Sequence, residues 1–341
     1  MVKTKPIPFK TLVAALLNDQ EPFPPRYLHR FSDLAEEDSR SLAQAWPKIS
    51  PLRRVALLED LDELNQADDL LSFDEVCKLA IIDSQAQVRL LGVKILKEYE
   101  LPQYISDFIH LAKHDADGGV RAAAASALGA FTYLGEVEKI HPSTHQRVEE
   151  TLLSILNSQD ESLVRRRALE ALGYSSREQV APAIEQAYAS GDQEWLISAL
   201  NAMGNSADNK WKPQVIAMFD HPHPLVRAEA ASAAGEIEIK SAAPSLLQML
   251  DDPDLDVRMA AIWSLSQIGG KGVRKALETM LETTDDDDEA DMLENALENL
   301  DFTEDLSTIA LLNIVDNGEE DEELFDAADL DELDELGDGQ A

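Results

Sequence analysis

The chain has 341 residues, 44% of them hydrophobic, with a formal net charge of −37. That is enough apolar material for a continuous core, but aromatics make up only 6% and the single cysteine, Cys77, excludes a disulfide framework. The charge disfavours nucleic-acid binding, which needs basic patches, and no apolar run has the length of a membrane span.

The acidity is unevenly spread. Lys275 is the last basic residue, and the stretch from Ala276 to Ala341 holds 26 acids. The preceding body is only mildly acidic, at a net −11. Basic proteins or divalent cations are the partners that electrostatics favours.

In chain order, Met1 to Pro8 reads as loose, Phe9 to Asn18 as a short helix, and Glu21 to Pro25 (EPFPP) as a rigid turn or extended link. Residues 1–31 thus form an N-terminal Pro-rich segment. Ser32 to Trp46 reads as a helix ended by Pro47; with Leu52 to Leu64 it forms an atypical capping pair over 32–70. FDEVCKLAIID places Cys77 in a helix, as a packed thiol.

A recurring grammar then dominates. Acids precede a Val-Arg pair, an Ala-rich helix and often a Gly. Its clearest copy is Asp251 to Gly269, DDPDLDVRMAAIWSLSQIG. Here Val257, Ala260, Ala261, Ser264, Leu265 and Ile268 fall on one helical face. Asp before the helix caps free N–H groups, and Gly269 and Gly270 suit a left-handed end. Val226-Arg227 lies one unit before Val257-Arg258, and Val164-Arg165 lies two units further back, with Trp195-Leu196 filling the copy between. Val120-Arg121 and Val88-Arg89 continue the series upstream. A second amphipathic helix separates successive copies, so the unit is a helix pair with a period of about 31 residues. The spacing from Arg121 to Arg165 exceeds that period, which predicts a projecting loop over 130–144.

The run D-x-x-V-R-x-x-A-A-x-x-x-L resembles the short HEAT repeat of phycobilisome-lyase-type proteins, over about residues 50–300. The resemblance implies an all-α fold, a right-handed α-α superhelix with the repeats over 71–302. It implies a second helix that lines the concave side, and interaction before chemistry. A C-terminal packing segment is expected over 303–315 and a disordered acidic tail over 316–341. Within that tail Leu324, Phe325, Leu330 and Leu333 suggest a transient amphipathic docking helix.

The repeated Arg89, Arg121, Arg165, Arg227 and Arg258 read as staples that pair with Asp of their own or the next unit, rather than as an anion ladder. Outward positions of the second helices are Met259, Ile262, Trp263 and Ser266; Ala228, Ala231 and Ser232; Ile197 and Asn201; and Arg166 and Glu170. Trp263 with Met259 is the candidate anchor for a partner, accompanied by Ile197 and Arg166. The run Arg165–Arg167 is positioned to receive carboxylates.

His110 with His114, and His141 with His145, have i, i+4 spacing, but Pro142 interrupts the second pair and no carboxylate or Cys completes a metal site. No phosphate loop, G-x-S-x-G or Cys–His arrangement is present. The expectation is a monomeric cytoplasmic adaptor, not an enzyme, without cofactor or metal, that binds a protein partner. A bilin-lyase-like enzyme subunit and a polyanionic decoy for basic proteins are the alternatives.

Overall fold

The computed structural model describes the backbone of residues 7–316 and the side chains of residues 7–302. All regular structure among them is helical, so the all-α expectation holds. Two compact units divide the chain, residues 1–273 and 274–341.

The first unit opens with α1 (Phe9–Leu16). Phe9, Phe23, Tyr27 and Phe31 close its end as a cluster of tilted and edge-to-face rings with centroids 5.8–6.0 Å apart. The predicted helix over 32–46 is shorter, α2 (Glu36–Ala45), followed by a 3₁₀ turn at Trp46–Lys48. Asp33 sits at φ 50° and the Ser32 hydroxyl accepts from the Ser72 amide, so this stretch turns before the helix begins. Then comes α3 (Pro51–Ala67), capped by Ser50, whose hydroxyl accepts from the Arg53 amide.

Six helix pairs follow: α4 (Asp74–Ala80) with α5 (Ala86–Lys97), α6 (Ile105–His114) with α7 (Gly118–Glu136), α8 (Pro142–Leu156) with α9 (Ser162–Leu172), α10 (Val180–Tyr188) with α11 (Gln193–Asn205), α12 (Lys212–Ile216) with α13 (Pro224–Glu236), and α14 (Ala243–Met249) with α15 (Leu255–Ile268). Within each pair the helices pack on each other, and α3, α5, α7, α9, α11, α13 and α15 pack in succession as one row. This is the solenoid arrangement that the period predicts. The repeated Val88, Val120, Val164, Val226 and Val257 are each fully buried, together with the alanines and leucines of their stripes.

Glycine has a second use here. Gly173, at the end of α9, lies so close to α11 that a Cβ would stand 2.7 Å from the Ala202 carbonyl oxygen. A Cβ on Gly235 would meet the Trp263 ring at 2.6 Å. Both glycines have helical backbone, and their role is close approach of neighbouring helices. Gly269 and Gly270 do adopt positive φ, 67° and 116°.

The expected loop over 130–144 is absent. Its residues extend α7 to 19 residues and α8 to 15, leaving a short link. Phe131 and Thr132 are fully buried, and Phe131 packs on Phe108 at 6.1 Å, so the insert pays for its order in core contacts. His141 caps α8, its ring nitrogen accepting from the Ser143 amide, and Pro142 takes the first helical position. Cys77 is fully buried, and burial pushes its thiol far above its ordinary pKa.

The second unit contains α16 (Val273–Leu281) from Arg274 onward and α17 (Asp287–Asp316). Leu277, Leu293, Ala296 and Leu300 are buried, and Arg274 pairs with Asp301 at 2.8 Å. The expected separate packing segment at 303–315 is instead continuous with α17, which holds neither Gly nor Pro to interrupt it. The tail positions Leu324, Phe325, Leu330 and Leu333 lie outside the described residues.

Candidate functional site: the row of second helices

Two sets of side chains run along the row of second helices. The first is a ladder of Arg and Asp at the helix starts. Arg89 donates through Nε and Nη2 to Asp115, both at 2.6 Å, and through Nη1 to its own unit's Asp83 carbonyl. Arg121 does the same with Asp160 (2.9 and 2.7 Å) and the Asp115 carbonyl. Arg227 clamps Asp252 (2.8 and 2.7 Å) and reaches the His221 carbonyl, and Arg258 donates to the Asp252 carbonyl. Upstream, Arg54 and the Trp46 indole both donate to Asp83.

Asp83, Asp115 and Asp252 thus each accept the preceding unit's guanidinium on the side chain and their own unit's on the carbonyl. Bidentate, charge-assisted pairs of this kind are stronger than neutral hydrogen bonds. Hydrogen bonds from Arg121 and Arg227 hold the carboxyls of Asp160 and Asp252 below the ordinary Asp range. For Asp115 burial works against the charge, and the bonds from Arg89 and the Asp117 amide outweigh it.

Arg165 departs from the expectation. Its Nε donates to the Leu156 carbonyl at 2.9 Å and its guanidinium lies 5.3 Å from the Trp195 ring centroid, but among the described residues it pairs with no acid.

The second set lies in the seam between helices α9, α11 and α13. Arg166 is 9% exposed and pairs with Glu194 at 3.0 Å. Arg167 donates to Glu170 at 2.5 Å, and Ser198 donates to the other Glu170 oxygen at 2.6 Å. Asn201 donates to Glu229 at 2.9 Å, and Asn205 to the Glu170 carbonyl and to Asn201. Desolvation raises the Glu229 carboxyl above its ordinary pKa, Asn201 opposes this, and the nearby Glu170 adds to it.

Several positions read as outward are therefore interior. Arg166 and Glu170 are consumed in this seam, and Ala231, Ile262 and Ser266 are buried against neighbouring helices. Arg166 is not a free contact, because burial without Glu194 would strand its charge. A single helix's pattern of polar and apolar positions does not reveal the seam, because it forms only where two second helices meet. Sequence carries a signal for it: Glu170, Asn201, Ser232 and Trp263 occupy the same register position in successive units.

Ile197, Met259 and Trp263 remain half-buried at the surface. Trp263 leans on Gly235 of the preceding unit, which places its ring in the groove between α13 and α15.

Among the described residues one group brings three potential metal-binding atoms within 4.8 Å of one another: Glu136, His145 and Glu149. His145 lies 3.8 Å from Glu136 and 3.5 Å from Glu149. Ser175 and Arg177 already donate to the two Glu149 oxygens, at 2.5 and 2.7 Å, so this buried carboxylate is neutralised within the protein. The His110 and His114 rings pack at 5.3 Å.

Residues 212–300 match the family of HEAT repeats. No curated protein was found to match the sequence. Among solved structures, Escherichia coli YibA aligns at 16% identity over 83% of this chain and 99% of its own, with a TM-score of 0.41. The CpcE–CpcF complex of phycocyanin lyase from Nostoc sp. aligns at 21% over 67% and 94%, at 0.45. Importin beta aligns at 15% over 86% and 46%, at 0.41. Likeness of this degree says nothing of what the present chain binds. The HEAT-type register is visible beyond the matched segment, in the Val-Arg copies from Val88 onward. Among the described residues no helix is long and apolar enough to cross a membrane.

Proposed function

We propose that this chain is a non-catalytic HEAT-type scaffold that holds a protein partner against its row of second helices. The acidic C-terminal stretch serves as an accessory contact that favours a basic partner surface. The protein works as a cytoplasmic monomer and needs no cofactor.

The observation that carries this reading is the contrast along the row. Between α9 and α13 the polar side chains are engaged with one another. At α15 the row ends in Met259 and Trp263, half-buried and apolar. An aromatic side chain seated in a groove beside a flexible Met is the type of spot that anchors a protein interface.

The test is site-specific photo-crosslinking. A photoreactive residue at Met259 or Ile197 should capture the same partner, and one at Leu70, 89% exposed in the turn after α3 at the opposite end of the row, should not. Equal capture from Leu70 contradicts the reading. Removal of residues 317–341 should weaken the complex without abolishing it; abolition would favour the polyanionic decoy instead. Incubation with a bilin should leave no lasting colour on the purified protein, and persistent absorbance would favour the lyase-like alternative.

A further inference from the structure

The ladder has a gap, and the gap has a shape. Asp252 lies one full repeat after His221, which lies one full repeat after Ser190. The backbone confirms that these positions are equivalent. The Asp252 carboxylate accepts from the Asp254 amide at 3.0 Å, the His221 ring nitrogen from the His223 amide at 3.2 Å, and the Ser190 hydroxyl from the Asp192 amide at 3.1 Å. Asp115 makes the same bond to the Asp117 amide. Ser190 therefore stands where Arg165 would find its Asp, and supplies the turn without the carboxylate.

What remains is a cavity of about 230 Å³, lined by Arg165, Trp195, Leu156, Ala187 and Ser190 among others. Among the described residues the Arg165 guanidinium makes one hydrogen bond, through Nε. Arg166 and Arg167 are neutralised by Glu194 and Glu170, so Arg165 is the member of the basic run whose charge has no acid. Trp195 backs its planar face.

We propose that this cavity is a socket for one carboxylate, supplied by an Asp or Glu side chain of a bound polypeptide. The occupant replaces the missing rung. Its carboxylate takes the two terminal guanidinium nitrogens in the bidentate manner that Asp252 uses on Arg227, and its methylene stem lies against Leu156, Ala187 and Trp195. A side chain fits this role because Asp side chains fill the equivalent sites on Arg89, Arg121 and Arg227. The chain's net negative charge does not forbid it, since exposed charges beyond about 8–10 Å are screened at physiological salt. The inference rests on the scaffold reading and adds a second, charge-selective contact at the edge of the row.

The experiment uses the full chain and a peptide labelled at its N-terminus, fluoresceinyl-Gly-Asp-Asp-Leu-Asp-Asp-amide, followed by polarisation, with inorganic phosphate as competitor. The wild type should bind saturably. Arg165→Met should weaken binding by about tenfold or more, the loss of one bidentate charge-assisted contact. Ser190→Asp should weaken it as much while raising the melting temperature by about 2 °C, because the chain then fills its own socket. Lys240→Met, which removes an exposed cation elsewhere, should leave binding unchanged. Absence of binding to the wild type, unaltered binding to Ser190→Asp, or equal loss in Lys240→Met overturns the proposal, as does phosphate competing below the peptide's own concentration. If binding appears only after residues 317–341 are removed, the chain's own acidic end is the occupant and the partner proposal falls. Loss of the socket with cross-links from Met259 intact sinks this inference alone; loss of both sinks the scaffold reading.

Discussion

Ala207, Glu238 and Gly269 hold the same place in successive repeats, each just beyond a second helix, and all have positive φ: 48°, 54° and 67°. Only the last is glycine, so the other two carry the Cβ strain of the left-handed region. Glu238 has an exposed side chain. Glu238→Gly should therefore stabilise the protein by about 0.5–1 kcal/mol, read as a higher urea midpoint; a lower midpoint would mean the strain is absent. Gly173 makes the opposite case. Its helical backbone accepts alanine, but the Ala202 carbonyl oxygen at 2.7 Å from the new Cβ does not. Gly173→Ala should cost about 2 kcal/mol by overpacking, and an unchanged midpoint would show that α9 and α11 approach less closely.

At the scale of the element, the Val-Arg copies and their spacing made the second helices and their order readable. Two things were not. The extra stretch after Arg121 became helix because Phe131 and Thr132 found buried neighbours, and no local propensity announces a tertiary contact. The polar seam escaped because Arg166 and Glu170 look solvated on a single helical wheel. Only the neighbouring α11, with Glu194 and Ser198, makes them interior. The rungs and the seam respond to acid in opposite ways. Asp160 and Asp252 have folded pKa values below the ordinary 3.8, so their contribution is complete above that value and is lost as pH falls beneath it. Glu229 is raised above 4.5, so the folded state holds a proton that the unfolded chain has released, and its contribution falls as pH rises from 4.5. Urea midpoints at pH 7 and pH 5 should thus show a gain on acidification that Glu229→Gln reduces; an identical gain in the variant would exclude Glu229 as its source. Asp252→Asn, which breaks a rung only 11–14% exposed, should cost about 2 kcal/mol at pH 7 and less at pH 3.

On the scale of the whole molecule, composition and charge had marked the C-terminal stretch as distinct, and the division after Val273 falls just before the last basic residue, Lys275. The repeat register also fixed which unit would be odd. EWLISALNAMG, with Leu196 in the Arg place, is the copy in which both Arg and Asp are missing, and the structure puts the ladder's gap there. Stacks of this kind are held by nearest-neighbour contacts, so a missing rung weakens its own stretch more than distant ones. Native-state hydrogen exchange, resolved helix by helix, tests the account most directly. Amides of α7, with an intact rung on each side, should open at higher free energy than those of α11, which has none, by about 1–2 kcal/mol, with α13 and its single rung to Asp252 between them; Ser190→Asp should narrow the difference. Uniform protection across α7, α11 and α13, unaffected by Ser190→Asp, would contradict the claim that the Arg–Asp rungs hold this stack together.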